Sequence, residues 1–349
     1  MIIAFQITNT TSDFNYNCFT QLALKHPTQQ FIMLHQKNHV VKKELPSNIK
    51  PVKLKYAHNT GVYHSVLNQI QLRAYLKKYK VDFYFSSNES TIPVKGVTKI
   101  VLIHQIKSIK QKQKFKKTNY ADFFIATNET VHEKIIKVIP ELKSKVNMIP
   151  YGVEKMEALS IDESAKIKQA FTDEKDFFIA IQKGCSSAQL LVLLKSFSAF
   201  KKWQQSSFKL VIYLDEKQLK SSKKLLANYK YLSDVLLLHK TEDYTTLFGA
   251  AYVALFGGNE SSFMEMNQLA FKYKIPMLLP EDEHYHSIAK NAAVYCDFSE
   301  KSISDNLILL YKDETLRNSI IENMKKQSEQ LQWEDVSEKL WDCIINKKA

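Results

Sequence analysis

Three stretches of this 349-residue chain place chemically capable side chains where an apolar run gives way to a turn. His104 closes "KIVLIHQ", where an imidazole can hydrogen-bond a sugar hydroxyl or meet a developing charge, or can serve only as a satisfied strand-end residue. "FFIAIQKGCSSAQ" passes from an apolar run through Lys183 and a turn over 184–187 into a helix pattern. An ammonium, the hydroxyls of Ser186 and Ser187 and the unpaired amides of a helix start suit a diphosphate. Read locally, the same residues are a solvated lysine and a serine helix cap. In "GGNESSFMEMNQLAF", Glu260 opens a helix after a strand and is either a ligand-binding carboxylate or an N-cap that the helix dipole favours. Glu265 and Gln268, three residues apart, can share a face of that helix, but Phe263, Met264, Met266 and Leu269 surround them.

Two further clusters lead less far. "EDEHYHSIAKN" holds an HxH pair beside three acids, yet residues two apart on a helix point to different sides, so a solvated loop is expected and no metal site. "HQIKSIKQKQKFKK" carries six lysines with Phe115 as its only aromatic. Without aromatic interleaving this reads as an exposed basic face and not a nucleic-acid reader; an anionic acceptor or lipid headgroups are the partners it would suit.

The elements that must position these residues alternate from end to end. Strands are expected at "MIIAFQI", "QQFIMLH", "VDFYFSS", "KIVLIHQ", "DFFIAT" and "VNMIPY", with a helix over "VYHSVLNQIQLRAYLKKYK" whose Val62, Val66, Ile70 and Leu72 or Tyr75 form one face. A charged stretch without a strand, about 155–175, marks a domain junction. Strands then resume at "FFIAIQ", "FKLVIYL", "DVLLLHK", "AYVALFGG", "IPMLLP" and "AAVYCDF". Three amphipathic helices close the chain, near 302–312, 314–330 and 333–346. Runs apolar throughout and separated by helices of 10–15 residues mean strands buried on both faces, hence parallel sheets in doubly wound α/β domains. Ligands in such sheets bind beyond the carboxyl ends of the strands, where the three stretches lie.

Composition sets the outer bounds. The length fits two domains, and 45% apolar with 24% charged residues is the balance of a folded globular chain. Cys18, Cys185, Cys296 and Cys343 form no CxxC, so neither a zinc site nor a disulfide framework is expected, and a cytoplasmic location fits. "MIIAFQITNT" lacks the basic start and apolar length of a signal peptide, and no membrane-spanning run is present. A net charge of +13, with lysine spread along the whole chain, reads as a lysine-rich composition; sugar nucleotides, nucleic acid or an anionic membrane surface are the partners it would otherwise suit.

Taken in order, these segments resemble the family-four retaining glycosyltransferases of the GT-B fold. "KIVLIHQ" is similar to that family's strand ending in His-Asp, and "ADFFIATNETVHEKIIKVIPELKSKVNMIPYGVE" to its strand, helix and "ki-v-i-p-n-G-v" segment. "FFIAIQKGCSSAQLLVLLKSFSAF" resembles the strand and loop that grip the donor diphosphate, and Trp333 falls in its usual place before a last helix.

The resemblance implies two Rossmann-like domains facing a cleft: an acceptor-side domain at 1–160, a donor domain at 161–330, and a helix at 331–349 crossing back to the first. It implies transfer of a sugar from a nucleotide-sugar donor to a glycan or lipid-linked acceptor, with retention and without a metal or other cofactor. His104 and Glu260 would contact the transferred sugar. Lys183, Gly184, Ser186 and Ser187 would hold the diphosphate. Ser261 and Ser262 lie beside Glu260, and Gln268 takes the place of the glutamate that holds the ribose. No nucleic-acid partner is implied, and peripheral contact with the inner face of a membrane is compatible.

The chain also departs from the family. Gln105 replaces an aspartate, Ala188 a lysine, "ESSF" an "EGFG", and "TNTTSDFNYN", with hydroxyls at Thr10, Thr11 and Ser12, a glycine loop. A catalytically impaired partner subunit or sugar-binding module is therefore the alternative.

Overall fold

The computed structural model describes residues 1–7, 14–36, 44–55, 62–86, 91–103, 120–239, 244–258 and 260–346; for 62–65, 260 and 261 it describes the backbone alone. The chain folds as two compact units, Met1–Gly152 with Leu331–Ala349, and Val153–Gln330.

The first unit is built on seven parallel strands. In chain order its elements are β1 (Ile2–Gln6), α1 (Phe14–Lys25), β2 (Gln30–Gln36), β3 (Ile49–Leu54), α2 (Val62–Lys78), β4 (Phe83–Ser86), β5 (Thr98–Ile103), β6 (Phe123–Ala126), α3 (Glu129–Val138) and β7 (Val146–Met148). The strand order is β3-β2-β1-β4-β5-β6-β7. β4 is buried at every position, and β1 and β5 at every position but the first, as strands covered on both faces must be.

β3 is a strand the apolar-run criterion passes over. "IKPVKL" buries only Ile49, Val52 and Leu54, and it contains Pro51. It lies at the sheet edge, where a proline's missing N–H costs no ladder bond to a further strand. The expected inward face of α2 also shifts. Val66 and Ile70 are exposed, whereas Leu72 and Leu76 are buried with Tyr75 packed beside them against Val52 and Leu54. The C-terminal half of the helix supplies the packing, because that is where it crosses the sheet.

The second unit repeats the plan with β8 (Phe177–Ile181), β9 (Lys209–Tyr213), β10 (Val235–Leu238), β11 (Val253–Phe256), β12 (Met277–Pro280) and β13 (Ala293–Cys296), ordered β10-β9-β8-β11-β12-β13 and all parallel. Its helices are α4 (Ile161–Thr172), α5 (Ser187–Gln204), α6 (Glu216–Leu226), α7 (Tyr244–Gly249), α8 (Glu260–Tyr273), α9 (Glu283–Ala289), α10 (Glu300–Lys312) and α11 (Glu314–Gln330). The charged stretch 155–175 holds α4, started by a Ser160–Glu163 capping box and ended by Asp173 in the left-handed region. The HxH residues sit on α9, not in a loop. His284 is buried against Phe263 and Tyr285, while His286 stacks on Tyr295 at 3.6 Å and meets Glu281 at 2.6 Å. The two imidazoles thus have different surroundings. Among the described residues no group of three His, Cys, Asp or Glu is arranged to hold a metal ion, and no helix is long and apolar enough to cross a membrane.

α12 (Trp333–Asn346) belongs to the first unit and lies along α1. Trp341 stacks on His26 at 3.9 Å, and Glu338 pairs with Lys25 at 3.2 Å. Trp333 is buried against Phe14 and Tyr151, and its ring lies over Gly152, where a Cβ would fall 2.4 Å from the indole. A Gly152→Ala variant should therefore lose about 1–3 kcal/mol of stability from overpacking, read as a lower midpoint of tryptophan fluorescence in urea unfolding.

Candidate functional site

In a doubly wound sheet the crevice opens where the crossovers leave on opposite sides, and in the second unit that point lies between β8 and β11. β8 continues through Gln182, Lys183, Gly184 and Cys185 into α5; β11 continues through Gly257 and Gly258 toward α8.

The two loops touch each other. The Gly257 N–H donates to the Ile181 carbonyl at 3.0 Å, and the Cys185 thiol donates to the Gly257 carbonyl. Gly257 lies so close to the buried Gln182 that a Cβ would fall 2.4 Å from its Nε2. At Gly258 a Cβ would fall 3.0 Å from the Lys183 carbonyl oxygen. The paired glycines thus permit an approach no side chain allows. Burial, with a smaller contribution from the Asp215 charge, pushes the Cys185 thiol up to about 12.

The turn after β8 is held from a neighbouring element. Gly184 takes φ +77°, a left-handed conformation, and its N–H donates to Oε1 of Gln218 at 3.2 Å. The same oxygen accepts from the Asp215 N–H at 3.0 Å, and Gln218 Nε2 donates to the Cys185 carbonyl at 2.6 Å. One amide in the first turn of α6 therefore clamps both ends of the Gly184–Cys185 peptide. Ser186 is the N-cap of α5 in a reciprocal box with Gln189, so its N–H and hydroxyl both already donate to Gln189 Oε1. Ser187 opens the helix and is exposed, and the first-turn amides of Ser187 and Ala188 precede the intrahelical ladder.

Lys183 itself sits in a small charged and aromatic cluster. Its Nζ is 3.4 Å from Glu265 Oε2 and 4.6 Å above the Tyr213 ring, with the Tyr244 ring at 5.7 Å. The two tyrosines stack at 4.0 Å. Burial first, and the Glu265 charge second, raise both phenols above their ordinary range. One turn beyond Glu265 on α8, Gln268 is buried, and neither its Nε2 nor Oε1 of Gln182 has a hydrogen-bond partner among the described residues.

Of the residues singled out from the sequence, Lys183, Gly184, Ser186 and Ser187 lie together at the end of β8, and Glu260, Ser261, Ser262 and Gln268 lie along the first turns of α8. Ser262 is buried. His104, the basic run that follows it, and Thr10, Thr11 and Ser12 lie outside the described residues. Sequence reasoning passed over Gln218, Tyr213 and Tyr244, and reached Glu265 only as a neighbour of Gln268 on one helix face, without its partner Lys183. Tyr213 ends the apolar run "FKLVIY", so the same strand-end rule that selected Lys183 reaches it. Glu265 carried no such signal, because its partner is 82 residues away.

No family model and no curated protein sequence matches the chain. Solved structures do. WaaG, a glycosyltransferase involved in lipopolysaccharide biosynthesis, is 12% identical with a TM-score of 0.72 over 98% of this chain and 99% of its own. A glycosyltransferase from Rickettsia africae is 13% identical, TM-score 0.74, over 98% and 97%. Anabaena Alr3699/HepE, solved with UDP and glucose, is 11% identical, TM-score 0.72, over 98% of each chain. Likeness at this level of identity establishes the fold: this chain has the GT-B architecture of two Rossmann-like parallel-sheet units.

Two outcomes test the packing of the loops. Gly257→Ala should cost about 1–3 kcal/mol, and a Gln182→Ala change in the same chain should recover part of that loss in a double-mutant cycle of urea midpoints. Because its thiol stays protonated near pH 8, Cys185 should alkylate with iodoacetamide far more slowly than an unperturbed cysteine, as read by peptide mass mapping across a pH series.

Proposed function

We propose that this protein is a glycosyltransferase that binds a nucleotide-sugar donor at the β8–β11 crevice of its second unit. The observation that carries this reading is Lys183, set on a glycine turn at the switch point of a parallel sheet beside the N-terminus of α5. The diphosphate would lie against the Lys183 ammonium and the amides of Ser187 and Ala188. As the glycosidic bond to the diphosphate breaks, negative charge grows on the leaving oxygen, and the ammonium meets it without a metal ion. Lysine offers a point charge and not the bidentate fork of arginine, so the helix amides carry more of the orientation. Gln218 holds the Gly184–Cys185 peptide in place, a positioning role. Glu260 and His104 would contact the transferred sugar, Ser261 and Ser262 would flank it, and Gln268 would offer the ribose its Nε2, which has no partner among the described residues. Transfer proceeds with retention, to a glycan or lipid-linked acceptor.

A second reading follows from one specific contact. Glu265 already neutralises Lys183, as a pair kept for structure would, and on that reading the chain is a partner subunit or sugar-binding module of the same fold.

Calorimetric titration with UDP-, GDP- and ADP-sugars, paired with a donor-hydrolysis assay, separates these. Transfer requires binding of at least one donor, about tenfold or more weakened by Lys183→Ala through loss of a charge-assisted contact, together with turnover. Silence toward every donor overturns it, and binding without turnover selects the module.

A further inference from the structure

The two lysines buried among the described residues are each anchored by several directed bonds. Lys99 pairs with Asp122 at 2.8 Å and donates to the Val97 carbonyl at 3.1 Å. Lys201 pairs with Asp234 at 2.9 Å and donates to the carbonyls of Ser206 and Phe208. Lys183 is held differently. Its contact with Glu265 is 3.4 Å long, beyond the roughly 2.7–2.9 Å of a tight charge-assisted bond. Among the described residues its ammonium donates to no carbonyl, and the faces of Tyr213 and Tyr244 attract it without fixing a direction. The side chains of Lys183 and Glu265 are 21% and 29% exposed, so water and a ligand both reach the pair. A loose and accessible pair can exchange its carboxylate for another anion, whereas the anchored pairs of Lys99 and Lys201 cannot do so without breaking backbone contacts.

The chemistry of a nucleotide sugar makes that exchange consequential. Each phosphate of the esterified diphosphate carries one negative charge. When the glycosidic bond breaks, the leaving oxygen keeps the bonding electrons, and the free diphosphate carries one charge more. A lone ammonium facing that oxygen binds the product more tightly than the substrate and holds it in the crevice. Glu265 stands against this ammonium. Its field already reaches the phenols of Tyr213 and Tyr244, which burial raises first and the carboxylate second.

We propose that, with a nucleotide-sugar donor in the crevice, the reading on which this one rests, Glu265 is a specificity-determining residue that disfavours the free nucleoside diphosphate relative to its sugar ester. The additional charge forms at the oxygen that faces Lys183, where it meets the carboxylate as well. Attraction by the ammonium and repulsion by Glu265 then offset each other for that charge, and as the product leaves, the carboxylate reclaims the ammonium. The same repulsion opposes charge growth during bond cleavage, so Glu265 favours release at the expense of the chemical step.

Calorimetric titration of the full chain with UDP, GDP and ADP, and with UDP-glucose, GDP-mannose and ADP-glucose, tests this at about pH 8, where the terminal phosphate is ionised. The quantity read is the ratio of the two dissociation constants, diphosphate to sugar ester, for the base that binds. Glu265→Gln, of the same shape and without the charge, should shift that ratio about tenfold toward the diphosphate. Glu265→Asp, which keeps the charge, should retain the wild-type ratio, as should Glu216→Gln, the same loss of charge in the first turn of α6. Binding with an unchanged ratio in Glu265→Gln overturns this role alone, as does an equal shift in Glu265→Asp or Glu216→Gln. Silence of the wild-type chain toward all six ligands overturns the donor reading and this role together.

Discussion

The candidate site depends on two loops that must touch. Where β8 and β11 pair as neighbours, their following helices leave toward opposite sides of the sheet, and the gap between the departing chains is the crevice. Its floor exists only because Gly257 can press against Gln182 and its backbone can pair with Ile181 and Cys185. A side chain at Gly257 would collide with the buried Gln182 amide and force one of the two to shift. Glycine is scarce here, with seven in 349 residues, and two of the seven are spent where these loops meet. The constraint is one of volume, and the chemistry is arranged on top of it.

Electrostatics then divides the work between the units. In the second unit the charges nearly cancel overall, and at the crevice they cancel locally, Lys183 against Glu265. An arriving diphosphate must compete with that carboxylate for the ammonium, so affinity rests on the difference between two anions at one cation and not on the cation alone. The first unit has the opposite character, with lysines that have no ion-pair partner among the described residues along an edge strand and at the end of the helix that packs on it. Uncompensated charge of that kind acts at long range and is sensitive to salt, whereas the compensated pair in the crevice acts only at close approach.

The second unit also shows how local signals and distant partners combine. The Ser186–Gln189 capping box is a four-residue matter and starts α5 wherever that helix is placed. The direction in which Lys183 points, in contrast, needs Gln218 from α6 to hold the adjoining turn and Glu265 from α8 to receive the ammonium.

How much of this was legible in the sequence follows the range of each interaction. Strands buried on both faces announced themselves as apolar runs, and the parallel, doubly wound class followed from their alternation with helices. β3 did not, because an edge strand buries only one side and tolerates Pro51. Nor did the true inner face of α2, because periodicity shows that a helix has an apolar stripe and not which part of it crosses the sheet. The strand-end rule brought out Lys183 and Glu260 as candidates, since it needs only the end of a run. Glu265 and Gln218 were decided by the tertiary structure alone, because their partners lie 82 and 33–34 residues away and come within reach only when the sheet order β10-β9-β8-β11 is formed.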